Sequence, residues 1–116
     1  MSTVFGKILR KELPCDAVFE NERILAFKDI HPKAAIHLLI IPKKEIRCLQ
    51  EVSQEDLSLV LEMIEVARNL AKKFGIEEGY RLLTNNGKRA GQEVEHFHFH
   101  LLGGKEQWLS SHVGIG

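Results

Sequence analysis

Apolar residues at Val4, Phe5, Ile8 and Leu9 recur at helical spacing, with Ser2 or Thr3 before them as N-cap. This pattern predicts a short helix over VFGKILRKEL, stopped by Pro14. The period then changes. AVFE (17–20) and ILAFK (24–28) read as strands around the polar turn Asn21–Arg23, and IHLLII (36–41) reads as a buried strand ended by Pro42. Between them DIHPK (29–33) is a loop, because Pro32 favours an extended residue before it. KKEIRCLQEV fits neither period. Ser53 opens the clearest helix, with Leu57, Val60, Leu61, Ile64, Ala67, Leu70, Ala71 and Phe74 as its apolar face. Glu55 and Asp56 suit its positive end, Lys72 and Lys73 its last turn, and Gly75 its C-cap. GYRLLTN (79–85) and EVEHFHFHLL (93–102) read as two further strands, joined by the loop NNGKRAG (85–91) with its Asn86-Gly87 turn signal.

Short helix, three strands, long helix and two strands make an α+β fold. The expected architecture is a mainly antiparallel sheet of about five strands with one long helix and one short N-terminal helix. The length of 116 residues suits a single domain over 1–116.

Charge and composition narrow the function classes. Sixteen basic and sixteen acidic residues give zero formal net charge, so the electrostatic footprint expected of a nucleic-acid-binding protein is missing. The most apolar stretch, AAIHLLIIP, is too short to span a bilayer, and no membrane association is expected. MSTVFGKILRKELP lacks the continuous apolar core of a signal peptide. Cys15 and Cys48 are the only cysteines and lie far apart, which points to a reducing compartment and a cytoplasmic location.

HFHFHLLGG (96–104) carries the chemistry. On a strand, His96, His98 and His100 share one face, while Phe97, Phe99 and Leu101 share the other. The Phe face is expected to pack on the long helix. Three imidazoles on one face need several hydrogen-bond partners and do not suit a plain core. A solvated polar face is the bland alternative, but Ser, Thr or Lys would serve there as well. A metal site is the sharper one. His96 and His100 lie about 13 Å apart on a strand rising ~3.3 Å per residue, whereas Zn–N bonds are about 2.0–2.1 Å. A two-His site would need more ligands, with His37, Asp29 and Glu93 available. The third reading is a row of imidazoles along a bound anion. A middle histidine attacks phosphorus, a neighbour hydrogen-bonds the phosphoryl oxygens, backbone amides of Gly87 to Gly91 add donors, and Asn85 positions a leaving group. Spacing alone does not separate this reading from metal binding.

The stretch GQEVEHFHFHLLGG (91–104) resembles the histidine-triad signature, H-φ-H-φ-H-φ-φ with φ apolar. VFGKILRKELP (4–14), AFKDIHP (26–32), HLLIIPKK (37–44) and GYRLLTNNG (79–87) resemble the histidine-triad nucleotide-binding branch, so the resemblance covers nearly the whole chain. Leu102-Gly103-Gly104 favours that branch over the dinucleoside-polyphosphate hydrolases, which usually carry Pro-Arg there. The resemblance implies a homodimer that binds purine nucleotides and hydrolyses nucleoside phosphoramidates; no metal or cofactor is expected. It implies that His98 is the nucleophile, His100 the partner of the phosphate oxygens and His96 the first histidine. His37 would complete the hydrogen-bonded set. Asp29 would bind ribose with Ile30 beside it, and Phe5, Ile8, Leu13 and Phe27 would line the base pocket. Asn85 would lie near the scissile bond, and Gly91, Glu93 and Val94 in the phosphate loop.

Taken alone, Phe5, Ile8 and Phe27 read equally as core, Asp29 as a turn former and His37 as a satisfied core histidine. Three positions depart from the family pattern. Glu93 stands where Ser or Thr is frequent, and its carboxylate is expected to turn away from phosphate. His31 replaces a small polar residue, and Trp108 is shifted by one residue from a tryptophan of some relatives, so it is given no site role. Two alternatives stand beside the hydrolase: a non-catalytic nucleotide-binding or interaction module, and a His-rich metal-binding protein.

Overall fold

The computed structural model describes residues 3–104 and residue 115; Trp108 and its place in the tail lie outside the described residues. Helix α1 spans Val4–Leu9, and Thr3 caps it by accepting the Gly6 N–H on its hydroxyl oxygen at 3.0 Å. It stops well before Pro14. Lys11 turns left-handed at φ 65°, and Glu12 N–H closes back on the Lys7 carbonyl at 2.8 Å. This six-residue closure ends the helix without help from proline.

The strands are β1 (Ala17–Glu20), β2 (Ile24–Lys28), β3 (Ile36–Pro42), β4 (Tyr80–Leu83) and β5 (Phe99–Gly103). They form one sheet in the order β1-β2-β3-β5-β4, every neighbouring pair antiparallel, as the sequence predicts. Asn21 makes the β1–β2 turn by accepting the Arg23 and Ile24 amides on its side-chain oxygen. Helix α2 spans Leu57–Lys73 and is preceded by a 3₁₀ turn over Gln54–Asp56, so Ser53 does not open the α-helix itself. The unassigned segment after β3 contains a second 3₁₀ turn, Leu49–Glu51.

The sheet separates two apolar layers. Phe97, Phe99 and Leu101 pack with Ile24, Ala26, Leu38 and Ile40 against α2, so the expected Phe face is core. The α2 face differs from the expected one. Its buried residues are Leu59, Met63, Val66, Ala67, Leu70 and Ala71, whereas Leu57 and Leu61 are 48% and 69% exposed. The first half of α2 carries two apolar stripes, and periodicity does not say which one meets the sheet. On the other side Phe5 of α1 covers Leu25, Phe27, Leu39 and Ile41. Among the described residues no helix is long and apolar enough to cross a membrane.

The expected strand over 93–102 is half its predicted length. β5 begins at Phe99, so His96 and His98 precede the ladder, and β4 likewise ends at Leu83. Residues 92–97 bond instead to the segment that leaves β3. Phe97 N–H donates to the Ile46 carbonyl at 2.7 Å, and the Gln92 side-chain amide to the Arg47 carbonyl at 2.8 Å. These bonds stand where strand pairing would otherwise be needed for Gln92 and Phe97.

Candidate active site

The hydrogen atoms of the four buried histidines follow from their partners. A carbonyl oxygen only accepts and a backbone N–H only donates. His96 Nε2 lies 2.8 Å from the Pro42 carbonyl, so it carries the proton. His98 Nδ1 lies 2.6 Å from the His96 carbonyl and is likewise an N–H donor. In the neutral ring this puts the lone pair on Nε2 of His98. His37 accepts the Lys33 N–H on Nδ1 at 3.0 Å, so its own proton sits on Nε2. That N–H points to His100 Nδ1 at 2.9 Å, which leaves the His100 proton on Nε2. One imidazole thus carries a basic Nε2 and its neighbour an acidic Nε2–H, with ring centroids 4.9 Å apart.

All four rings are buried, with 4% exposure or less. Burial pushes the His37 imidazole below the ordinary histidine value, against the Asp29 carboxylate, which pulls it up; Lys33 adds to the lowering. Burial also lowers His96, and the Pro42 carbonyl opposes it only in part. Both are therefore neutral at pH 7. Asp29 accepts the His31 N–H on one oxygen at 2.9 Å and places the other 3.3 Å from His37 Nε2.

His98 and His100 line a cavity of about 440 Å³. Phe5, Ile8, Leu13 and Phe27 give it an apolar wall, and Asp29, Ile30, Glu93 and Val94 are among its other lining residues. Ten of the fourteen site residues expected from sequence thus meet around one space. Phe5 stands edge-on to the His98 ring, centroids 5.0 Å apart, so this residue is both core and cavity wall. The other four lie behind the wall or beside it. His96 and His37 act through their hydrogen bonds to His98 and His100. Gly91 holds a left-handed turn at φ 95°, and the Asn85 amide donates to the Ile115 carbonyl. A wider hollow of about 760 Å³ lies beyond Leu13–Cys15 but meets no histidine.

Sequence reading missed four contributors. Thr84 donates its hydroxyl to the His98 carbonyl at 2.6 Å, and Gln92 is a buried amide. The Pro42 carbonyl and Lys33 amide act through backbone atoms, which no residue type reveals.

Asp29, His37 and His100 bring three potential metal-binding atoms within 4.8 Å of one another. The Lys33 N–H occupies the Nδ1 lone pair of His37, so a metal at Nε2 would have to displace a proton. That one proton on His37 Nε2 faces His100 Nδ1 at 2.9 Å and the Asp29 carboxylate at 3.3 Å.

Comparison with known proteins gives the family. The HIT domain profile matches residues 10–107, and the chain belongs to the histidine-triad (HIT) family. An uncharacterised HIT-like protein of Chlamydia muridarum is 48% identical over 104 residues, 90% of this chain and 82% of its own length. The crystal structure of a HIT family hydrolase from Legionella pneumophila Philadelphia 1 superposes with a TM-score of 0.86 at 47% identity, covering 89% of this chain and 93% of that one. The histidine triad nucleotide-binding protein of Candida albicans gives a TM-score of 0.84 at 34% identity, with 99% and 82% covered.

Proposed function

We propose that the protein is a hydrolase of purine nucleoside phosphoramidates and binds purine nucleotides in the 440 Å³ cavity. The observation that carries this reading is the tautomer of His98: its Nδ1–H donates to the carbonyl of His96, which leaves the lone pair on Nε2. Nε2 attacks the α-phosphorus, the P–N bond breaks, and the nitrogen leaves as an amine after taking a proton from solvent, which the later attack of water gives back. The charge that develops on the His98 ring is stabilised by the same carbonyl. Water then cleaves the nucleotidyl-histidine and releases the nucleoside monophosphate. His100 donates from Nε2 to a phosphoryl oxygen, held in that tautomer by His37. Asp29 and Ile30 hold the ribose, and Phe5, Ile8, Leu13 and Phe27 hold the base. Gly91, Glu93 and Val94 frame the phosphoryl group, with Asn85 near the leaving group. The similarity to a HIT family hydrolase and to a histidine triad nucleotide-binding protein supports the coarser part of the reading, hydrolysis and nucleotide binding.

The working form is a cytoplasmic homodimer that needs no metal or cofactor. A leaving amine such as a lysine side chain, with a pKa of about 10.4, fits this site better than a polyphosphate. The cavity wall carries Asp29 and Glu93 against one cation, Lys28. An adenosine phosphoramidate and a dinucleoside polyphosphate, assayed side by side, should differ in kcat/KM by at least about 100-fold, roughly 2.7 kcal/mol. His98→Ala should abolish turnover and spare nucleotide binding. Most of the rate surviving in that variant, or a covalent nucleotide trapped on another residue, would remove His98 as nucleophile. The Asp29–His37–His100 cluster favours metal binding as the second reading. Chelator-stripped protein that loses activity and regains it with zinc would establish that reading instead.

A further inference from the structure

The catalytic segment is mounted on the end of β3 and the stretch that follows it rather than on a ladder of its own. His96 and His98 lie outside β5, and four hydrogen bonds tie the stretch from Asn86 to Phe97 to residues 42–50. Two bracket it at one end: His96 Nε2 to the Pro42 carbonyl, 2.8 Å, and Phe97 N–H to the Ile46 carbonyl, 2.7 Å. One closes the other end, Gln50 N–H to the Asn86 side-chain oxygen at 2.7 Å. The fourth runs through the middle and belongs to Gln92.

Gln92 is 5% exposed. Its side-chain oxygen accepts the Gly87 N–H at 2.7 Å, and its own backbone N–H donates to the Gly87 carbonyl at 3.1 Å. Its side-chain nitrogen donates to Arg47 at 2.8 Å and to Val94 at 2.9 Å, both carbonyls. The amide therefore uses its oxygen and both N–H bonds. It closes the loop from Gly87, fixes it to Arg47, and sets the residue, Val94, that lines the cavity beside His98 and His100. The loop holds one 3₁₀ turn, Lys88–Ala90, between Gly87 at φ 90° and Gly91 at φ 95°, and has no ladder to fix it to the rest of the fold.

We propose that Gln92 is the positioning residue of the phosphoryl end of the site: it presets the 87–94 loop against His98 and His100 and leaves the base end untouched. The base end is built by α1 and β2, through Phe5, Ile8 and Phe27. Loss of Gln92 should then separate the two halves of a nucleotide. This rests on the nucleotide-binding reading above.

The test compares adenosine with adenosine monophosphate on wild type, Gln92→Met and Gln92→Glu. Gln92→Met keeps the length and loses every side-chain bond. It should bind adenosine within about twofold of wild type, bind the monophosphate at least tenfold more weakly, and lose kcat on an adenosine phosphoramidate. Equal weakening of both ligands, or no weakening, would overturn the inference. Gln92→Glu still accepts from Gly87 but can donate only when its carboxyl is protonated. Its rate relative to wild type should therefore rise as pH falls from 8 to 5, and a flat ratio counts against the role. Hydrogen exchange needs no ligand. In Gln92→Met the Gly87–Val94 amides should exchange faster while those of β5 stay protected. Unchanged loop exchange overturns the inference even if wild type proves to bind no nucleotide, a result that would instead remove the proposed function.

Discussion

His96 is wholly buried and held neutral, its Nε2–H spent on the Pro42 carbonyl. An unfolded histidine titrates near ~6.5, and His96 and His37 both titrate lower when folded. Below that unfolded value the open chain binds protons that the folded chain refuses. Their stabilisation is therefore whole above pH ~6.5 and is lost as pH falls toward the depressed folded values, at up to about 1.4 kcal/mol per pH unit for each group. Urea unfolding at pH 7.5, 6.5 and 5.5 should show this slope, and His96→Gln should flatten it. An equal slope in the variant would assign the acid sensitivity elsewhere. Thr84 acts on the neighbouring residue. Its hydroxyl donates to the His98 carbonyl, just ahead of the start of β5 at Phe99. Thr84→Val removes it at nearly constant shape, and kcat should fall about 10-fold, or about 1.4 kcal/mol, with KM within about twofold. A rise in KM together with the fall in kcat would point to a general loosening of the cavity. Neither role is visible in the residue type. A threonine at a strand end and the first histidine of a triad acquire them from the carbonyls they meet.

At the scale of elements, local chemistry and packing divide the work unevenly. Helix α1 ends by placing Lys11 left-handed at φ 65°, where a side chain costs about 1–2 kcal/mol. Lys11→Gly removes that cost and adds about 0.4–1 kcal/mol of unfolded-chain entropy. The net gain should be about 0.5 kcal/mol, read as a higher urea midpoint, and a lower midpoint would show that the Lys11 side chain stabilises this turn. The termination was not legible, because the sequence offers Pro14 as the more obvious stop. The rotation of α2 was not legible either. Leu57 and Leu61 fit a helical stripe as well as Leu59 and Met63 do, and only contact with Ile24, Leu38 and Ile40 selects the second pair. Strand existence, by contrast, was fully legible, since β-branched and aromatic runs bounded by turn residues have few other uses.

The whole molecule keeps Leu49, Leu57 and Leu61 on its surface, and two of them stand on α2. Large exposed leucines on one helix suit a second copy of the chain. Light scattering at micromolar concentration should give twice the chain mass for the wild type, and Leu61→Glu should give the single mass with its fold retained. A wild-type monomer would exclude the homodimer. On this scale the sequence by itself determined the α+β class, the antiparallel sheet and the grouping of three histidines, because period and residue chemistry are local properties. It also determined most of the cavity wall through family likeness, from Phe5 to His100. Only the packed chain places His96 and His98 outside the ladder, ties His96 to Pro42, and fixes which nitrogen of each ring holds its proton. Those outcomes depend on which backbone carbonyl or amide arrives beside a side chain. Every residue but proline offers the same two backbone groups, so the sequence does not mark the ones that are used.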